Sequence, residues 1–395
     1  MTLARVLGPL SNLHQMLVQV VDSLPDVDAN RQFHPALYPP AWYLGRAVYL
    51  ETYLLRERVS GDDDLSRRVR HLFGTGQATP AQASVLLPPR DHLLNWALEI
   101  QEENLTRLAN PRTLPHHPFL DGDWLPAYLL QAESLLYEDL LLVANARQAA
   151  TQPAGHVAAA LAPAPLRDDA VAVSQGHYRI GERAGVLFDS EQPPQAVELH
   201  SFRITRRPVS NAEYLGFMRG GGYDDDRWWD DDGLAWRDAG AVRHPFAWRA
   251  DAAGHWHGVG LNGAYALGAD APVTGVSQHE ARAFTRWAAA QGGPFASAVL
   301  PHEFQWETAA RSGAIAGVGQ ATEWCANPFA PYDCYAAPDD PELATPAFDG
   351  QHLALRGAAL HTQPCLRRTS LRRFGLPGDN HRLAGFRLVL PTGPA

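Results

Sequence analysis

The spacing of apolar residues changes character once along this chain, and the change restricts it to two units of different kind. Residues 1–150 repeat at helical intervals. Leu10, Leu13, Leu17 and Val20 share one helix face. A second helix starts at Pro39–Pro40, where proline suits the first turn. A third follows Asp91 as N-cap and carries Leu94, Leu98, Gln101, Leu105 and Leu108. A fourth follows Asp123, with Leu129, Ala132, Leu136, Leu140 and Val143 on one stripe. Four such helices with moderate connections predict a four-helix bundle.

Residues 151–172, rich in alanine and proline, read as a linker. From 173 to 395 short apolar runs alternate with Gly, Pro, Asp and Trp. Helix signals there are few. Ser210-Asn211-Ala212-Glu213 and Ser277-Gln278-His279-Glu280 are capping boxes, and Pro301 opens a third helix. A domain with much ordered loop needs large anchors, and Trp228, Trp229, Trp236, Trp248, Trp287, Trp306 and Trp324 supply them. The fold class expected is α+β.

Composition excludes several functions. A chain of 395 residues with a formal charge of −10 and no basic stripe is not expected to bind nucleic acid. No stretch of about 18 apolar residues exists, so no membrane span is expected. The N-terminus lacks a secretory pattern, which makes the cytoplasm the expected location. Cys325, Cys334 and Cys365 are too few for a disulfide framework and fit no zinc spacing. The chain has no lysine. That excludes Schiff-base chemistry and a Walker-type phosphate loop.

The segments LFDSEQP (187–193), FRITRRPVSNAEYLGFMRGGGYDDDRWW (202–229), PVTGVSQHEARAFTRWA (272–288), LPHEFQWETAAR (300–311), TEWCANPFAPY (322–332) and AGFRLVL (384–390) occur in this order. Together they resemble the formylglycine-generating-enzyme superfamily, whose domain is C-type-lectin-like with little regular secondary structure. GLAWRDAGAVRHPFAWRADAAGHWH (233–257) narrows the resemblance to the sulfoxide synthases of ergothioneine and ovothiol synthesis and the related selenoneine synthases. The helical region resembles their N-terminal DinB-like bundle, and PPRDHLLNWALEIQEENLTRLANP (88–111) is closest to the selenoneine-type branch.

That resemblance implies a non-heme iron held by three histidines. One lies in an LGH motif and two in H-x3-H-x-E on the last bundle helix. It also implies oxidative joining of sulfur or selenium to trimethylated histidine. In this chain LGH reads Leu44-Gly45-Arg46. The histidine pair falls on Ala132 and Leu136, with Glu138 as the motif's acid, or in a second register on Glu133 and Tyr137. The first register is preferred and places Ala132 and Leu136 on the apolar stripe. Arginine stays protonated and repels a cation, and alanine and leucine offer no ligand atom. His34, His92, His116 and His117 read as surface or capping residues. In the second register Arg46 is expected to take the metal's place and pair with Glu133.

Other positions are implied by the same resemblance. The stretch that helps hold trimethylated histidine corresponds to Arg372-Arg373-Phe374-Gly375. Arg373, standing where the family has asparagine, disfavours a quaternary ammonium and favours an anion beside Phe374. Tyr332 is the candidate catalytic tyrosine, a proton donor to reduced oxygen. Glu323 and Asn327 are candidate calcium ligands, with Gln320 replacing a common asparagine. The acidic runs Asp224–Asp226 and Asp230–Asp232 lack EF-hand spacing and read as solvated charge. A copper site of the superfamily type is not expected, since its cysteine positions hold Thr362 and Arg367 and Cys365 lacks a partner at that spacing.

Two functions follow as expectations. The first is a pseudoenzyme or binding protein that takes up a small polar metabolite in an interdomain cleft. The second is an iron- and oxygen-dependent oxidoreductase of the same family with relocated ligands.

Overall fold

A computed structural model describes residues 4–151 and 159–392. The chain divides into two compact units. One comprises residues 1–150 together with the short segment Pro338–Ala344; the other comprises 151–337 and 345–395. Its mixture of helices and small sheets is the α+β class expected from the sequence.

In the helical unit, α1 (Ala4–Asp22) is followed by a single turn, α2 (Asp26–Ala29), and by α3 (Pro40–Glu51). Immediately after Glu51 the chain widens into a π-helical stretch, Thr52–Val59. Then come α4 (Asp64–Phe73), α5 (Pro80–Leu86), α6 (Arg90–Ala109) and α7 (Trp124–Thr151). The long helices α1, α3, α6 and α7 correspond to the four read from periodicity. Val6, Leu10, Leu13, Leu17 and Val21 bury the inner face of α1. Asp91 does not cap α6: Pro89 is the N-cap, and Asp91 lies inside the first turn, where a carboxylate still complements the helix dipole.

The inner face of α7 also differs from the reading. Leu129, Leu140 and Val143 are buried as expected, but Ala132 and Leu136 are only half-buried. Glu133 is the residue that points inward, fully buried. Each residue step turns a helix by about 100°. Positions 129, 133, 140 and 143 thus share one face with 136 inside it and 132 at its edge, and burial rather than angle separates Glu133 from Ala132.

The second unit is built on small sheets. β1 (Ala170–Val173), β4 (Phe202–Thr205) and β12 (Val389–Pro391) form an antiparallel sheet with β4 central. β2 (Gly176–Ile180) and β3 (Gln195–Leu199) form a ribbon. β5 (Trp248–Ala250), β6 (Trp256–Gly260) and β7 (Gly263–Tyr265) form a meander. The fourth sheet runs β10 (Arg372–Gly375), β9 (Leu353–Arg356), β8 (Thr322–Pro328), β11 (Ala384–Gly385), and only its β8–β11 pair is parallel. Residues 161–173, partly inside the stretch read as linker, belong to this unit: Leu161 is buried in its core and Ala170 begins β1.

Helices α8 (Asn211–Arg219) and α10 (Gln278–Ala290) start at the capping boxes of Ser210 with Glu213 and Ser277 with Glu280. α9 (Asp231–Ala239) is capped by Asp230. α11 (Glu303–Arg311) begins two residues after Pro301, capped by the His302 side chain. Trp248, Trp306 and Trp324 are fully buried, as anchors for irregular backbone must be.

Candidate functional site

Arg46 projects from the middle of α3, and both terminal nitrogens of its guanidinium are engaged. Nη1 donates to the Phe73 carbonyl at 2.7 Å, and Nη2 donates to Thr75 Oγ1 at 3.1 Å. Nη2 also lies 2.6 Å from Glu342 Oε2. Glu342 accepts in addition from the Thr75 backbone N–H at 3.0 Å, Thr75 Oγ1 at 2.7 Å and the Tyr49 hydroxyl at 3.1 Å. Burial would raise this carboxyl, but Arg46 and Thr75 hold it below its usual range. The expected partnership of Arg46 with Glu133 is therefore not formed; the acid comes from the distant segment 338–344. The same segment offers Asp340 to the Tyr53 hydroxyl at 3.0 Å and to Arg58 at 3.1 Å.

Glu133 meets different residues. His14 Nε2, from α1, lies 3.2 Å from Glu133 Oε2 and 2.6 Å from Glu51 Oε1. His14 is 4% exposed, and Glu51 and Glu133 are fully buried. Although these atoms touch, neither ring nitrogen of His14, nor Glu51 Oε1, nor either oxygen of Glu133 makes an aligned hydrogen bond. The second oxygen of Glu51 does: Asn104 Nδ2 donates to it at 3.0 Å, and Asn104 Oδ1 accepts from Arg56 Nε at 2.9 Å. Burial opposes a charge on His14, yet the two carboxylates raise it to about 10. Burial and the neighbouring Glu51 raise Glu133. His14 and Glu133 are thus both shifted toward holding a proton. Sequence reasoning passed over His14 and Glu51. The available signal was a lone polar residue on an apolar helix face, as in LSNLHQMLVQVV and AVYLETYLL.

In the second unit several buried carboxylates are met by arginines. Glu303 takes both Nε and Nη2 of Arg372 at 2.8 Å, and Arg356 Nη1 at 3.2 Å. Glu307 accepts from Arg356 Nη2, from Arg311 Nε at 2.8 Å and from the Gly181 N–H at 2.9 Å. Burial would raise Glu303, but Arg372 and Arg356 hold it down.

Residues 157–317 match the sulfatase-modifying factor enzyme 1-like domain. This is a formylglycine-generating-enzyme-like unit. The hercynine oxygenase of Mycolicibacterium smegmatis is 25% identical, over 92% of this chain and 94% of that protein. The hercynine oxygenase of Mycobacterium tuberculosis is 26% identical, over 51% of this chain and 55% of the relative. The chain thus spans about half of that second relative. The formylglycine-generating enzyme of Thermomonospora curvata is 30% identical over 38% of this chain and 51% of its own.

The predicted site residues of the second unit, beyond the matched stretch, are spread over one buried network and its edge. Tyr332 is 4% exposed; its hydroxyl donates to Glu307 Oε2 at 3.5 Å, and Arg372 stacks 4.1 Å over its ring. Burial pushes the hydroxyl up to about 12. Arg373 and Phe374 lie on β10, both half-buried, and Phe374 packs 5.0 Å from Phe329 and 5.3 Å from His352.

The calcium candidates are otherwise committed. Glu323 accepts from Arg387 Nε at 2.5 Å, Arg387 Nη2 at 2.6 Å and Trp306 Nε1 at 3.0 Å. Asn327 Oδ1 accepts from the Glu303 N–H at 2.8 Å, and its Nδ2 donates to Glu303 Oε1 at 2.9 Å. A guanidinium held against both oxygens of Glu323 disfavours a cation beside them. In the acidic runs Asp226 meets Arg237 at 2.8 Å and Asp230 caps α9 while meeting Arg282 at 2.8 Å, whereas Asp224, Asp231 and Asp232 are exposed.

Proposed function

We propose that this protein is a divergent homologue of the non-heme-iron sulfoxide and selenoxide synthases that no longer runs the three-histidine iron reaction and instead binds a small polar metabolite. One observation carries the reading. At the place of the first histidine ligand, the Arg46 guanidinium is locked to Glu342 at 2.6 Å. A fixed cation there disfavours a second cation. Ala132 and Leu136, at the other two places, offer no ligand atoms. Arg373 supports an anionic ligand over a quaternary ammonium.

A second reading has its own support. The group His14, Glu51 and Glu133 supplies ligand-type atoms elsewhere in the bundle, which favours an oxidoreductase acting on a histidine derivative with relocated ligands.

The test sets hercynine with cysteine and ferrous iron against thiosulfate, an anionic sulfur probe. Binding is read by calorimetry, and turnover by oxygen consumption and mass spectrometry. The first reading expects saturable thiosulfate binding and no oxygen-dependent product. An oxygen-dependent C–S adduct of hercynine replaces it with the second. Absence of both binding and product removes both readings.

A further inference from the structure

We propose that His14, Glu51 and Glu133 form a binding site for one divalent first-row transition-metal ion in the core of the helical unit. The claim concerns metal uptake and stands apart from which metabolite the protein binds or converts.

Geometry comes first. One nitrogen or oxygen atom from each residue lies within 4.8 Å of the others. Ions of this class hold such atoms at about 2.0–2.2 Å, which sets neighbouring ligand atoms about 3–3.5 Å apart. His14 Nε2 and Glu133 Oε2, at 3.2 Å, already have that separation. His14 Nε2 and Glu51 Oε1, at 2.6 Å, need to part by less than an ångström.

Charge gives a second, independent argument. Elsewhere in this chain Glu191, Glu303, Glu307 and Glu323, all buried, are each met by an arginine with directed hydrogen bonds. Glu51 and Glu133 have one imidazole between them, and the touching atoms are not aligned as donors and acceptors. Two buried carboxylates facing one imidazole, with no arginine beside them, are a donor set that a divalent cation suits. A divalent cation with neutral imidazole brings the sum to zero.

The surroundings fit as well. Asn104 fixes the outer oxygen of Glu51 and leaves the inner one free, the arrangement that orients a ligating carboxylate. Three protein ligands leave positions open for a small molecule. An open groove of about 650 Å³ between α1 and α6 reaches His14. Gln101 lines the same groove, and its buried amide has no hydrogen-bond partner, so a polar group can be held beside the ion. One imidazole and two carboxylates suit Fe2+, Mn2+, Co2+ or Zn2+ better than soft ions, which prefer thiolates.

The experiment uses the full chain, stripped with chelator and titrated with Co2+ under nitrogen. The readouts are metal per chain after desalting, the visible d–d bands, and the melting temperature. The expectation is one ion per chain, ligand-field bands with nitrogen and oxygen character, and a higher melting temperature. Glu133→Gln and His14→Gln each lower the affinity at least 10-fold while the far-ultraviolet circular dichroism stays native. Should either variant fail to fold, the wild-type stoichiometry decides alone. A folded wild-type chain that retains no ion overturns the proposal. So does an ion whose affinity and spectrum are unchanged in both folded variants.

Discussion

Arg46 Nη2 and Glu342 Oε2 lie 2.6 Å apart, joining the middle of α3 to a segment nearly three hundred residues later in the chain. Both side chains are largely buried, so neither tolerates loss of the other. Glu342→Ala leaves a buried guanidinium without its acid and is expected to cost about 3–5 kcal/mol. The double variant Arg46→Met with Glu342→Leu is expected to cost less than either single change, because it removes both charges together. Urea unfolding followed by the tyrosine and tryptophan signal of the helical unit checks this. A double variant as unstable as the sum of the singles contradicts it.

Glu323 is clamped by Arg387 and Trp306, an arrangement that disfavours calcium there. Calcium at about 1 mM, where weak protein sites fill, is expected to leave the melting temperature unchanged. Glu323→Gln is expected to destabilise the protein equally with and without calcium. A calcium-dependent rise in melting temperature that this variant abolishes refutes the assignment.

Glu280 gives a pH prediction. It is fully buried at the head of α10, bonded to the Tyr223 hydroxyl and to the Ser277 N–H at 2.7 Å. Burial raises it from 4.5 to about 7. Between these values the folded chain keeps a proton that the unfolded chain has released. Its stabilising contribution is therefore complete below 4.5 and is lost as pH rises through 7, by up to about 1.4 kcal/mol per unit. Denaturant melts from pH 4.5 to 7 are expected to show a shallower decline in Glu280→Gln than in the wild type. Parallel slopes sink the prediction.

The thiols differ sharply in surroundings. Cys334 is exposed, Cys365 is half-buried and Cys325 is fully buried, where burial pushes its thiol well up. Thiolate attack on an aromatic disulfide reagent is expected to modify Cys334 first in the native protein and Cys325 only on unfolding. Peptide mapping of the partially labelled chain reads the order directly.

The helical half was legible because its apolar spacing is local, and so were the starts of α8 and α10, where a serine and a glutamate three residues on satisfy each other. What escaped was set by distance or by burial. Nothing near Arg46 announces Glu342, since an ion pair across the chain leaves no local pattern. On α7 the apolar spacing did not show that Glu133 is more deeply buried than Ala132. His14 was overlooked because an amphipathic helix readily hides one polar residue among leucines. Glu323 and Asn327 carry ligand-type atoms, but sequence does not reveal that Arg387 and Glu303 already hold them.

The segment Pro338–Ala344 belongs to the helical unit although it is encoded almost at the end of the chain. During synthesis the helices of residues 1–150 leave the ribosome long before Asp340 and Glu342 exist. Domains generally fold as they emerge, but here the nascent bundle holds Arg46, Tyr53 and Arg58 without their acids until residues 338–344 have also been made. The helical unit is thus completed only after most of the second unit has been made, and a chain cut before residue 340 lacks both acids.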